Sequence, residues 1–288
     1  MARSEAVFRQ LSRVSRLPVL DRLSPSGARA PSAEEKEGYL ACQRLAQRAA
    51  LEVAGLVREG WTEKQTAVLL NTYLRDSGVT GFFHQAFVWF GERTRFDGVR
   101  ALRYDDYSPT RRVLQPGEVF ILDVAPILDG YVCDIGYVDS LGPNAALREA
   151  RHFLRELRDE LPGLFMGPNR GRDIWRLVDK RIVDAGYENV HAQYPFSVLG
   201  HRVHRVPLGG NVGALNFGWQ SYWSFLSRGL FGQLLNGNHD GSLDGLWAIE
   251  PHIGTNGDGV NRFGAKFEEL LLVEQGSARW LDAKAPGL

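Results

Sequence analysis

The sequence predicts an α+β fold in which paired helices precede hairpins that build one curved, mostly antiparallel sheet. Three observations carry this reading. Two capping boxes, Ser32 with Glu35 and Thr62 with Gln65, open consecutive helices early in the chain. Asp129-Gly130, the strongest short hairpin signal, lies between strand-like runs at 119–127 and 131–138. Further strand-like runs at 198–206, 246–250 and 266–273 follow two more helical patterns.

Taken in order, a Pro/Ser/Gly-rich link, SPSGARAPS, ends an N-terminal arm at residue 32, and residues 33–288 read as one domain. The first helical pattern runs from the Ser32 cap to Gly60, and the second from Thr62 to Gly78. Residues 82–104 read as irregular strands and turns leading into the Asp129-Gly130 hairpin. A third helix is expected at about 144–160, charged on one face, and a fourth at about 171–185, ending near Gly186. Residues 208–245 form a long insertion that mixes glycines with Phe217, Trp219, Tyr222, Trp223 and Phe225. A loop of that length calls for a role. It reads either as an aromatic wall or lid over a pocket, or as a short helix burying its aromatics in a subunit interface.

Composition narrows the function classes. With 44% hydrophobic and 24% charged residues the chain is an ordinary globular protein. Its 34 basic and 34 acidic residues cancel, so nothing pulls it toward nucleic acid or a membrane surface. No apolar run is long enough to span a bilayer. The Arg-rich N-terminus lacks the apolar core of a secretory signal, and reads instead as an arm packing on the body or on a second subunit. Two cysteines, Cys42 and Cys133, make no disulfide framework and fit a reducing cytosol; Cys133 reads as a small core residue.

The hairpin raises the question of chemistry. Its strands are apolar, yet they carry Asp123 and Asp134, eleven positions apart. A two-residue loop at Asp129-Gly130 pairs Leu128 with Tyr131 and puts Ala125 opposite Asp134. Side chains alternate, so Asp123 shares a face with Ala125 and becomes the diagonal neighbour of Asp134, roughly 7–8 Å away at the backbone. One aspartate at a frayed strand end needs no explanation. Two on one face, flanked by Phe120, Ile121, Leu122, Val124, Val132 and Ile135, repel one another unless a cation lies between them.

Downstream segments supply further donors in order. GHRVH holds His201 and His204, GLWAIEP holds Glu250 before a proline, and AKFEELLLVEQG holds Glu268 at the start of an apolar run. Singly, each has a structural explanation. Together they form a series Asp, Asp, His, Glu, Glu in which each charge stands in an apolar strand where an unpaired charge is costly.

The set and its order resemble the pita-bread metallopeptidase superfamily of methionine aminopeptidases, aminopeptidase P, prolidase and creatinase. The resemblance covers roughly residues 34–284 and rests on GWTEKQ, LDVAPILDGYVCDI, GLWAIEP and KFEELLLVEQG. It implies a pita-bread fold with the helices on the outer face of the curved sheet. It also implies a centre of two divalent ions (Mn, Fe, Co or Zn), a cytoplasmic metal-dependent hydrolase and a homodimer. Asp123 would chelate one ion, Asp134 and Glu268 would bridge both, and His201 and Glu250 would complete the second. Glu268 fits the last position better than Glu269, by its spacing to Val273. A hydroxide bridging two such ions is the nucleophile the resemblance implies, with Glu250 able to take its proton.

Two departures from the family stand out. GHRVHRVP shortens the stretch between histidines and replaces the family's second glutamate by Arg205, so His204 reads as a substrate-contacting histidine or, alternatively, as the ligand with His201 in support. Upstream, Arg103 stands about where aminopeptidases carry a catalytic histidine, and the upstream histidine, His84, lies some forty residues before Asp123. Arg103 would instead grip a substrate carboxylate in a forked pair. The expected substrate is a short peptide, of the aminopeptidase P or prolidase type. A small non-peptide amide is the alternative, and a non-catalytic pita-bread binding protein the third reading.

Overall fold

The computed structural model describes residues 30–99, 106–205 and 230–284. Helix α1 (Ala33–Leu56) starts at the reciprocal Ser32–Glu35 capping box and stops at Leu56 rather than Gly60, because Val57 turns to extended backbone and buries its side chain. Its inner face is small: Cys42, Ala46, Ala49 and Ala50 are fully buried. That lets the helix lie close to the sheet, with Cys42 Sγ 3.5 Å from the Pro126 carbonyl and 3.4 Å from Cys133 Sγ. Helix α2 (Glu63–Asp76) starts at the Thr62–Gln65 box and gives way at Gly78, whose φ of 94° suits glycine.

Where irregular structure was expected after residue 82, the chain forms a ten-residue strand, β1 (Gly81–Phe90). The irregularity in the sequence corresponds to register shifts between Phe82 and His84 and between His84 and Phe87, where β1 pairs with β2 (Val119–Leu128). Such bulges re-aim side chains. The turn after β2 is the expected two-residue loop, with Asp129 and Gly130 both at positive φ (50° and 81°). Leu128 pairs with Tyr131 and Ile127 with Val132 in β3 (Tyr131–Val132). Val124 then pairs with Ile135 and Asp123 with Gly136 in β4 (Ile135–Ser140), so the register counted from the loop continues past Asp134.

Helix α3 (Ala145–Met166) runs through Pro162 to Met166, beyond the expected end near 160. Its apolar stripe of Leu147, Ala150, Leu154, Leu157, Leu161 and Phe165 keeps its spacing and stays buried. Helix α4 (Gly171–Asp184) follows. Then come β5 (Glu188–Asn189), β6 (Gly200–Arg202), β7 (Leu234–Leu235), β8 (Gly245–Ile249), β9 (His252–Gly254), β10 (Gly264–Lys266), β11 (Glu269–Glu274) and β12 (Ser277–Trp280).

Three sheets result, every described pairing antiparallel: β1-β2-β3 with β4 also on β2, β10-β9-β5, and β12-β11-β8-β6-β7. A bridge between Gly136 and Glu268 ties β4 to the chain entering β11. One core lies between the sheets and α1–α2, a second between the sheets and α3–α4. The Arg-rich arm up to residue 29, Arg103, and the insertion's aromatics Phe217, Trp219, Tyr222, Trp223 and Phe225 lie outside the described residues. The described end of the insertion forms a one-turn helix, Leu230–Gln233, and then β7 against β6. No helix among the described residues is long and apolar enough to cross a membrane.

Candidate metal centre

The strands deliver their polar side chains to one buried place. Asp123 comes from the middle of β2, Asp134 from the gap between β3 and β4, His201 from β6, Glu250 from the end of β8 and Glu268 from just before β11. All four carboxylates are at most 7% exposed. Gly200 permits the last assembly step, since a Cβ there would collide with the Ala248 carbonyl and Ile249 of the adjoining strand.

Sequence reasoning missed two members of this cluster. His84, set between the two β1 bulges, places Nε2 3.1 Å from Asp134 Oδ1 and 3.5 Å from Asp123 Oδ1. Its forty-residue distance from Asp123 in sequence reflects a long connection, 91–118, between paired strands. Lys266, at the end of β10, is 1% exposed and donates to Asp123 Oδ2 (2.6 Å), Glu268 Oε2 (2.9 Å) and Glu250 Oε2 (3.0 Å). A signal for it existed, because a residue two before Glu268 in extended backbone shares its face.

The two imidazoles are oriented in the same way. His84 Nδ1 faces the Gln85 carbonyl at 2.9 Å and His201 Nδ1 faces that of Arg202 at 3.2 Å. Each ring therefore turns Nε2 inward, and His201 Nε2 stands 3.3 Å from Asp134 Oδ2. Phe87 lies against the His84 ring at 4.9 Å and Phe83 stacks on His201 at 6.2 Å. An Nδ1–H fixed on a backbone carbonyl with Nε2 presented to carboxylates is how metal-ligating histidines are commonly held.

The electrostatics state a demand for positive charge. Burial opposes charge on both imidazoles, but the carboxylates outweigh it: Asp134 and Asp123 push His84 up to about 9, and Asp134 raises His201. Burial alone would raise Asp134; the two imidazoles hold it well below the usual carboxylate range. Glu268 is pushed well above its usual value by burial and by Asp134 and Glu250, and burial raises Glu250 despite Lys266. Lys266 itself is held charged against burial by Asp123 and Glu268. Three carboxylates share the one ammonium and Asp134 meets the two imidazoles, and the upward push on Glu268, His84 and His201 marks a crowding of acidic groups that a dication would relieve.

The other expected residues separate. His204 Nε2 lies 2.5 Å from Gln233 Oε1, and Arg205 packs its guanidinium over the Tyr131 ring at 4.7 Å. Glu269 points to the opposite face, where Arg158 grips both its oxygens at 2.9 and 2.7 Å. Behind Lys266, the Tyr194 ring centre is 5.6 Å from Nζ and its hydroxyl is 2.7 Å from His252 Nδ1. Burial and Lys266 hold His252 neutral, far below its ordinary value, and burial pushes His191 beside it down to about 3.

The sequence profile of metallopeptidase family M24 matches residues 37–275. The chain belongs to this family. The match is to a metallopeptidase family, the kind of family its residues led one to expect. Solved structures place it in the same pita-bread fold. An X-Pro aminopeptidase from Thermotoga maritima matches with a TM-score of 0.66 at 19% identity, over 90% of this chain and 63% of that one. A prolidase from Pyrococcus furiosus matches at 0.63 and 17% identity, over 89% and 66%. A methionine aminopeptidase from Thermotoga maritima matches at 0.61 and 17% identity, over 88% and 98%. The M24 chain thus spans about 63% of the X-Pro aminopeptidase's length and nearly all of the methionine aminopeptidase's. No curated protein sequence matches it.

Proposed function

We propose that this M24 protein is a metal-dependent amide hydrolase acting on short peptides, of the X-Pro aminopeptidase or prolidase type. The observation that carries the reading is the convergence of Asp123, Asp134, Glu250 and Glu268 with the inward-turned Nε2 atoms of His84 and His201. Two sets within it are compact enough to hold an ion: Asp134, His201 and Glu268, and His84, Asp123 and Asp134. Oxygen-rich sites with imidazole suit Mn, Fe, Co or Zn. A bound ion of this kind polarises a carbonyl and acidifies water.

The chain's own residues do the rest. Phe83 and Phe87 pack against the two imidazoles and hold their orientation, and burial of the carboxylates strengthens the charge interactions among them. Glu250, raised by burial, is set to hold at its carboxylate the proton released by attacking water and pass it to the leaving amine.

The test is a turnover screen of the Mn-, Fe-, Co- and Zn-loaded protein against Xaa-Pro peptides, Met-Xaa peptides and small amides such as creatine. Cleavage of Xaa-Pro peptides that is lost on chelation is the expected outcome. Cleavage of only a non-peptide amide would move the substrate class, and no cleavage by a metal-loaded protein would overturn the reading.

A further inference from the structure

We propose that the Lys266 ammonium is a resident cation among Asp123, Glu250 and Glu268, which leaves the centre a single divalent ion, at Asp134, His201 and Glu268, and not a pair. The inference rests on the metal-dependent reading above and concerns how many ions that reading requires.

Lys266 and the five residues read from the sequence draw on the same oxygens. Nζ takes Asp123 Oδ2, Glu250 Oε2 and Glu268 Oε2, carboxylates from three separate segments, all within 3.0 Å. An ion bound by those oxygens would sit about 2.0–2.2 Å from each. That point lies inside the space the ammonium fills. The oxygens left on the other side belong to a second location: Glu268 Oε1 is 3.9 Å and Asp134 Oδ2 3.3 Å from His201 Nε2. Glu268 is thus divided, one oxygen to the ammonium and the other toward the imidazole.

The stem of Lys266 is held as firmly as its head. Gly136 faces it across the β4 bridge, where a Cβ would stand 2.6 Å from Lys266 Cε. Behind it, His252 pairs with Lys266 in the β9–β10 ladder, and Tyr194 covers Nζ from the rear. Both are buried, so the side chain has no route to water along that side. Displacing the ammonium for a second dication would also break three charged hydrogen bonds at once.

The experiment counts ions. The purified full-length protein is saturated with Mn²⁺ or Zn²⁺, desalted and assayed by elemental analysis, in parallel with calorimetric titration of the same metals. One equivalent per chain is expected for the wild type and for Lys266→Arg, and two for Lys266→Met, which removes the charge and keeps the length. Two equivalents in the wild type, one in Lys266→Met, or none in the wild type would each overturn the inference. If Lys266→Met fails to fold, anomalous diffraction from metal-soaked wild-type crystals decides. A single peak beside Asp134 and His201 is expected, and a second peak between Asp123 and Glu250 would refute it. Two ions with peptide cleavage would sink only this inference, whereas one ion with no cleavage would sink only the hydrolase reading.

Discussion

Glu268 and Glu269 are adjacent, equally buried, and face opposite ways into two different electrostatic worlds. Glu269 meets Arg158 in a fork with both oxygens used, the guanidinium also donating to the Asp282 carbonyl at 3.1 Å and lying over Trp280. Glu268 shares one ammonium with Asp123 and Glu250, and its other oxygen lies toward His201. The first cluster is closed: each charge has its partner and nothing more is needed. The second crowds four buried carboxylates into one place, a crowding that a dication would relieve. Local charge balance, more than burial or pairing as such, separates a structural ion pair from a working site.

The largest test of that contrast removes a shared ligand. Asp134→Ala should abolish metal binding and bring turnover to background, read by elemental analysis and peptide cleavage. Arg158→Ala attacks the closed cluster and should cost about 3–5 kcal/mol in denaturant unfolding, since it strands the Glu269 carboxylate. Metal uptake by the refolded Arg158→Ala protein should be unchanged, and loss of uptake would erase the distinction between the two faces. A third test adds the missing charge: Mn²⁺ at a hundredfold excess over its Kd should stabilise the wild type by about 2.7 kcal/mol and Asp134→Ala not at all.

A smaller effect is expected from the neutral histidine behind the centre. His191 is depressed to about 3 against an unfolded value of about 6.5, so its contribution is complete above pH 6.5 and is lost as pH falls toward 3. His191→Phe should flatten that part of the stability–pH curve, measured by thermal unfolding across the window against wild type. The least change is expected from His204→Ala, which should keep its metal and lower turnover modestly. Equal metal loss in His204→Ala and His201→Ala would mean that both imidazoles serve the ion.

What the sequence disclosed and withheld follows from how each residue reaches the site. Asp123 and Asp134 were legible because a two-residue Asp-Gly loop fixes the register, and alternation then sets the face. Both capping boxes announced their helices because the capping atoms lie three residues apart. His84 was hidden by the long connection between β1 and β2, since strands adjacent in space carry no mark of adjacency in sequence. The ten-residue β1 was read as irregular because its bulges break the period-two pattern just where His84 must be turned inward. Lys266 was overlooked for a different reason: attention to carboxylates as ligands passes over a cation that is already among them.

Gly136 bears no functional group, yet it sets the charge inventory of the centre. Its missing methyl is the room in which the Lys266 stem lies. A single carbon added there would push the ammonium off its three carboxylates without changing one titratable residue. On the inference above, the number of ions this centre takes would change through a substitution at a position that touches no ion. A survey of ligand residues alone would see two identical sites where chemistry sees one metal or two.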